Sequence, residues 1–469
     1  MSFDSVIFIS CFLPVLAILY AIARGKTARN VLLLAAGLIF YAFGSVSGLL
    51  LLLVCAAVNY LFGVWLIRTK DGGKGIAAAA VVLDLAFLAA FKYLDFALSA
   101  LAPVLGGRQI SVGLAAPVGI SFFTFKCISY IVDTCRDRRS GTRSFFELLL
   151  YISFFPQIMA GPITRFTAFR GQLYARTCST ERAAAGLRRF VVGLGKKLIL
   201  AGAAANVADR AFGPTAVPDA RVAWLCAAAY MLQIYFDFSG YSDMAIGLGE
   251  IFGFTTPENF DDPYTASSIT EFWRRWHISL SLWFRDYLYI PLGGNRKGCV
   301  RAALNKFIVF ALCGLWHGAG WNFILWGAWH GVFSAAEELL GVKRWKPSRV
   351  RRAFGHLYAL LVVCVGFVMF RAGSLAEGWR VLSAMLGFVP ASAAATVALH
   401  EMLPPLTAAL LIAAAVLAVL AQPLKKALRP FGATAAGRIL SCAACIALLV
   451  LSMTRLAAGG FSPFIYFQF

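Results

Sequence analysis

The chain has 469 residues, 60% of them hydrophobic and only 14% charged, with a mean hydropathy of +0.76. Soluble domains are about a quarter charged, so 40 Phe and 11 Trp leave too little polar surface to coat a water-soluble globule. The net charge of +21 falls in short basic clusters between apolar runs, which reads as membrane orientation and not as a nucleic-acid surface.

A bilayer core takes about 20 apolar residues per helix. Twelve crossings are predicted, at 5–23, 30–45, 48–67, 76–98, 117–134, 190–212, 222–249, 305–318, 321–340, 353–370, 404–422 and 439–456. The first has no basic stretch before it and no convincing small-residue cleavage pattern, so it reads as a retained span and not a signal peptide. With the N-terminus outside, alternate loops collect 35 of the 43 lysines and arginines on one face. The positive-inside rule therefore orients the chain in the inner (plasma) membrane with both termini outside. The 11 cysteines are odd in number and lie mostly in apolar runs (Cys55, Cys226, Cys364), against a disulfide framework. Cys442 and Cys445, one helical turn apart, read as packing residues.

Three segments depart from simple crossings. The apolar run Phe145–Pro162 has Arg-rich loops on both sides and is expected to enter and leave by one face. Residues 266–292 mix Trp, Arg and aliphatics at near-helical spacing, as in a helix lying along an interface or lining a polar cavity. Residues 305–340 must cross twice although Gly318, Gly320 and Gly327 interrupt them; broken helices at membrane depth persist where they line a cavity. No internal repeat is evident. The organisation is one membrane domain over 1–469: N-terminal spans to 134, a re-entrant segment 145–162, a catalytic core 190–340, C-terminal spans 353–456 and an external aromatic tail 457–469. The fold class is an all-α polytopic membrane protein.

Few residues can carry chemistry. Of five histidines, His317 lies in an apolar run beside helix-loosening glycines, and an ionisable group there marks function or a neutral bond between helices. His277 follows Trp273-Arg274-Arg275-Trp276; it sits either among lipid headgroups or on the lining of a donor entry. His330, His356 and His400 read as structural. No His-x-His, His-Glu-x-x-His or paired Cys-x-x-Cys pattern is present, so no metal is expected. Nucleotide-binding glycine loops and a Gly-x-Ser-x-Gly elbow are also missing. Asp237 and Asp243 orient a cavity wall or balance Arg274 or Arg275. The uncharged tail Phe461–Phe469 folds back into an apolar opening or lies on lipid.

The blocks Ser129–Arg136, Phe154–Pro162, Gln233–Asp243, Phe272–Arg296 and Gly314–Trp321 resemble the membrane-bound O-acyltransferases (MBOAT), most closely the bacterial alginate O-acetylation branch. That resemblance implies a ring of about twelve transmembrane helices with re-entrant and interfacial helices around a central cavity. It implies His317 as the essential histidine and His277 as a second. Trp276, Arg274, Arg275, Trp316, Asn322 and Asp237 then fall to substrate contact. The ending Phe464-Ile-Tyr466-Phe-Gln-Phe469 fits a Phe-x-Tyr-x-x-Phe pattern whose tyrosine carries the acyl group. Cys135 departs from the aromatic residue many relatives have there. The implied activity uses acetyl-CoA as donor and no bound cofactor. It hands acetyl to an extracytoplasmic SGNH-like acetyltransferase and so, indirectly, to a polysaccharide. D-alanyl transfer from a carrier protein to teichoic acid is the rival within the family, and a non-enzymatic transporter the rival outside it.

Overall fold

Every predicted crossing is helical in the computed structural model, which describes residues 1–70, 72–101, 111–114, 116–213, 216, 218–342, 345 and 348–459. Among the described residues the regular elements are all helices, apart from one isolated bridge between Phe260 and Trp276. In chain order they are α1 (Phe8–Ile22), α2 (Gly25–Ala42), α3 (Val46–Arg68), α4 (Lys74–Lys92), α5 (Leu94–Leu101), α6 (Ile120–Arg136), α7 (Phe145–Ser153), α8 (Phe155–Ile158) and α9 (Phe166–Ala175). The chain continues as α10 (Thr180–Ala211), α11 (Ala220–Ile251), α12 (Ile269–Arg275), α13 (Ile278–Phe284), α14 (Gly298–His317), α15 (Trp321–Leu339) and α16 (Arg349–Arg371). It ends with α17 (Leu375–Met385), α18 (Ala393–Met402), α19 (Pro405–Ala433) and α20 (Ala435–Ala457).

Eight of these, α3, α4, α10, α11, α14, α16, α19 and α20, are long and apolar enough to cross a membrane. Their outward residues are themselves apolar: Leu61, Val82, Ile412 and Ile439 are each 65% exposed or more. A surface of that kind is stable only against lipid. The chain is a multi-pass membrane protein.

Contacts divide the chain into two compact units, one of Met1–Phe190 with Ser242–Pro257, the other of Val191–Tyr241 with the residues from Glu258 on. In the first unit, Phe145–Pro162 is two short helices. The chain leaves the helical region at Phe154 (ψ 103°), and Pro156 opens α8, where a missing N–H is harmless. Nearly every side chain of this segment is buried, with Phe155 against Phe40 at 5.7 Å and Phe154 against Phe254 at 4.8 Å.

The second unit is organised around the α14–α15 hairpin. Residues 318–320 interrupt the helix as predicted, but Gly327 does not: it lies inside α15. Its purpose is contact. A Cβ on Gly314 would lie 2.9 Å from the Gly327 Cα, and one on Gly327 would lie 3.0 Å from the Gly314 Cα. Only two facing glycines let the helix backbones approach so closely.

Candidate active site

His317 is the last residue of α14. Gly318 follows in an extended conformation, and a Cβ there would strike the Phe323 ring. The hairpin turns over three residues and α15 restarts at Trp321. Asn322, in its first turn, donates from Nδ2 to the Ala372 carbonyl at 2.8 Å, tying this corner to the end of α16.

The imidazole of His317 is 5% exposed and lies within three aromatic rings. Trp316 is 4.8 Å away, Trp326 4.9 Å and Phe370 5.1 Å between centroids, all at steep interplanar angles. These contacts fix the orientation of the imidazole, and the C-terminal end of a helix favours positive charge. The surroundings therefore suit an imidazole that becomes imidazolium during a reaction.

Trp326 extends the cluster. It packs on Phe370 at 5.3 Å, on Trp273 of α12 at 5.5 Å and on His330 at 5.2 Å. Through Trp273 and Phe272 the rings continue to Trp276, which stacks on Phe272 at 5.5 Å and meets Phe367 at 5.3 Å. Trp276 is 1% exposed. It ends α12, and His277 joins α12 to α13 in the left-handed region (φ 44°, ψ 55°), unusual for a residue other than glycine.

Local hydrogen bonds hold this strap. Ser268 Oγ accepts from Glu271 N at 3.0 Å, and the Glu337 carboxylate, reaching from α15, accepts from Ile269 N and from Thr270 N at 2.8 Å. Beyond His277, the Asn259 carbonyl accepts from Ile278 N at 3.0 Å, and Asn259 Oδ1 accepts from Ser279 N at 3.1 Å. His277 itself is buried with its ring 4.6 Å from Phe238. Burial pushes its imidazole down to about 3, so it stays neutral at physiological pH.

Residues 38–375 match the model of the MBOAT, membrane-bound O-acyltransferase family. The chain belongs to that family. It is an acyltransferase. A probable alginate O-acetylase AlgI of Pseudomonas putida is 40% identical over the whole of both chains. The peptidoglycan O-acetyltransferase of Helicobacter pylori is 35% identical, covering 82% of this chain and 80% of its own length. A teichoic acid D-alanyltransferase of Bacillus subtilis is 29% identical over 54% of this chain and 68% of its own.

In this acyltransferase the predicted residues are not all in one place. His317, Trp316 and Asn322 share the α14–α15 corner, and Trp276 and His277 share the strap that the aromatic cluster joins to it. Arg274 is exposed, whereas Arg275 pairs with Glu271 at 2.9 Å and donates to Thr265 Oγ1 at 3.2 Å. Asp237 pairs with neither arginine: its carboxylate accepts from Lys197 Nζ. Asp243, in the other unit, pairs with Arg189 at 2.9 Å. Tyr466 lies outside the described residues. Among those described, no three His, Cys, Asp or Glu gather in a metal-holding group.

Sequence reasoning missed Trp273, Trp326 and Glu337, and it set His330 aside. One signal was available for His330: Trp-His-Gly occurs at 316–318 and again at 329–331.

Proposed function

We propose that this acyltransferase takes an acetyl group from cytoplasmic acetyl-CoA and passes it across the membrane for O-acetylation of an exported polysaccharide. The observation that carries the reading is His317 at the hairpin corner within its three-ring cage. Full-length similarity to an alginate O-acetylase supports the acetyl group over D-alanine, since two teichoic acid D-alanyltransferases align with 54% and 59% of the chain.

In this mechanism His317 removes the proton from the Tyr466 hydroxyl, a group whose pKa near 10 makes it a poor nucleophile unaided. The phenolate oxygen attacks the thioester carbonyl, and the C–S bond breaks with its electron pair on sulfur. The proton returns to the departing CoA thiolate. The C-terminal end of α14 lowers the cost of the transient imidazolium, the cage fixes the ring, and His277, held neutral, supports the strap beside it. The tyrosyl ester then passes acetyl, on the outer side, to an SGNH-like acetyltransferase that modifies the polymer.

Incubating purified protein with isotopically labelled acetyl-CoA and examining the C-terminal peptide by mass spectrometry tests the formation of the tyrosyl ester. Label on Tyr466, lost in Tyr466→Phe and in His317→Ala, is the expected result. CoA release with an unlabelled tail would remove Tyr466 from the pathway, and label in His317→Ala would remove the histidine.

A further inference from the structure

Glycines hold the α14–α15 hairpin together along only part of its length. The contact nearest its open end is at Gly331, where a Cβ would lie 3.0 Å from Phe307 Cδ2. From there to the helix ends farthest from His317, the hairpin carries an apolar groove of about 400 Å³. Val300, Leu304 and Phe307 of α14 and Val332 and Leu339 of α15 line it, and Ala303, Ala335 and Ala336 are too small to fill it. Val300, Leu304, Val332 and Leu339 are exposed, so the groove is open to the lipid. From Val300 to Phe307 a helix rises about 10 Å, most of the roughly 15 Å of hydrocarbon in one leaflet.

The open end of the groove is basic. Arg296, Lys297 and Arg301 are exposed, and none of them pairs with a carboxylate among the described residues. The acids at this end are engaged elsewhere: Asp286 with Arg285 at 2.8 Å, Glu338 with Lys306 at 2.7 Å, and Glu337 with the backbone of α12. Arg301 keeps one long hydrogen bond, to the Leu292 carbonyl at 3.5 Å. Lys297, Arg301 and Leu304 follow one another at spacings of four and three, which puts them on one helix face. Asn305 holds the preceding loop against the helix, donating from Nδ2 to the Gly294 carbonyl at 2.9 Å. Trp345, exposed beyond the end of α15 with the Arg351 guanidinium 5.5 Å from its ring, suits the level of the headgroups, where tryptophan concentrates.

We propose that this groove binds one acyl chain of an anionic phospholipid, whose phosphate lies on Arg296, Lys297 and Arg301. The chain fits the apolar walls and the headgroup supplies the negative charge that the fold does not. A zwitterionic headgroup brings its own cation to a place already holding three. A second copy of the protein docked through the same face about a two-fold axis would set those three cations against themselves. The site lies apart from the acyl-transfer corner, since Phe307 and His317 are separated by about 15 Å of helix. It does not depend on the reading of His317.

The test places the full chain in phosphatidylcholine vesicles with a trace of phosphatidylglycerol carrying a photoactivatable diazirine in one acyl chain, and maps the cross-links by mass spectrometry. Label is expected on groove residues of α14 and α15, displaced by unlabelled phosphatidylglycerol and not by added phosphatidylcholine. The triple variant Arg296→Gln, Lys297→Gln, Arg301→Gln changes only exposed side chains. It should bind the probe about 10²-fold more weakly, roughly fivefold for each cation removed. Ala336→Phe, which fills the groove and leaves the cations in place, should lose the groove label. Equal groove labelling by a phosphatidylcholine probe, or wild-type labelling in the triple variant, would overturn the proposal. An unlabelled groove in a chain that runs as a dimer would overturn it too, and would give the groove to a second copy.

Discussion

Lys197 and Asp237 set an ammonium against a carboxylate inside two helices apolar enough to cross a bilayer, and both side chains are buried. Such a pair gains little over a well-packed apolar pair, but losing one partner leaves a charge where it is poorly solvated. Lys197→Met is therefore expected to cost about 3–5 kcal/mol, read as a lowered unfolding midpoint in detergent. The double variant Lys197→Met with Asp237→Leu should recover much of the loss. A single variant that unfolds at the wild-type midpoint would show that the pair does not hold α10 to α11. The sequence marked Asp237 as important without disclosing its partner. Arginines stood nearer in the consensus-like block 272–296, whereas the lysine that the fold delivers comes from a π-helical turn at Lys196–Ala201. Partner choice is a tertiary property, and periodicity carries no trace of it.

The elements were more legible than their joins. A span announces itself because the bilayer demands a long apolar run; each of the twelve predicted crossings overlaps a helix, and eight of those helices are long and apolar enough to span. Short helices are fixed instead by caps. Ser144, Ser268 and Ser374 each accept from the backbone N–H of a glutamate three residues on, Glu147, Glu271 and Glu377, opening α7, α12 and α17. That Ser-x-x-Glu signature was present in the sequence at all three sites, yet hydropathy alone passes over it. The α14–α15 hairpin depends on its facing glycines, and Gly314 stands one turn before His317. Gly314→Val or Gly327→Val should push the helices apart, at a cost of about 1–3 kcal/mol each from overpacking. Acyl transfer should fall further than stability, because the cage around His317 is built from both helices. Since the two substitutions open the same contact, the double variant should lose much less than the sum of the singles. Additive losses, measured by thermal unfolding and CoA release, would mean that the two glycines do not act on one shared contact.

At the scale of the molecule, charge distribution carries a claim that contacts do not. α19 and α20 are both apolar enough to span, and they meet in a tight turn at Thr434, whose Oγ1 donates to the Phe431 carbonyl at 2.7 Å and accepts from Gly437 N at 3.0 Å. Four of the five basic residues of the pair, Lys425, Lys426, Arg429 and Arg438, are exposed around that turn, and the fifth, Arg455, lies in the last turn of α20. Pro405 and Ala457 mark the opposite ends of the two helices. A hairpin of two spans puts its turn on one side of the membrane and both free ends on the other, and we propose from the positive-inside rule that the turn is cytoplasmic. Ala457 would then face outward, on the side where the tail bearing Tyr466 must work if it is to deliver an acyl group to an exported partner. An alkaline phosphatase fused after Ala457 should be active and one inserted at Arg438 inactive, with the reverse order for fluorescence of green fluorescent protein. The opposite pattern would put Tyr466 in the cytoplasm with the donor. A tyrosyl ester formed there could not hand acetyl to an external transferase, so the relay would fail on topology even with His317 intact as a base.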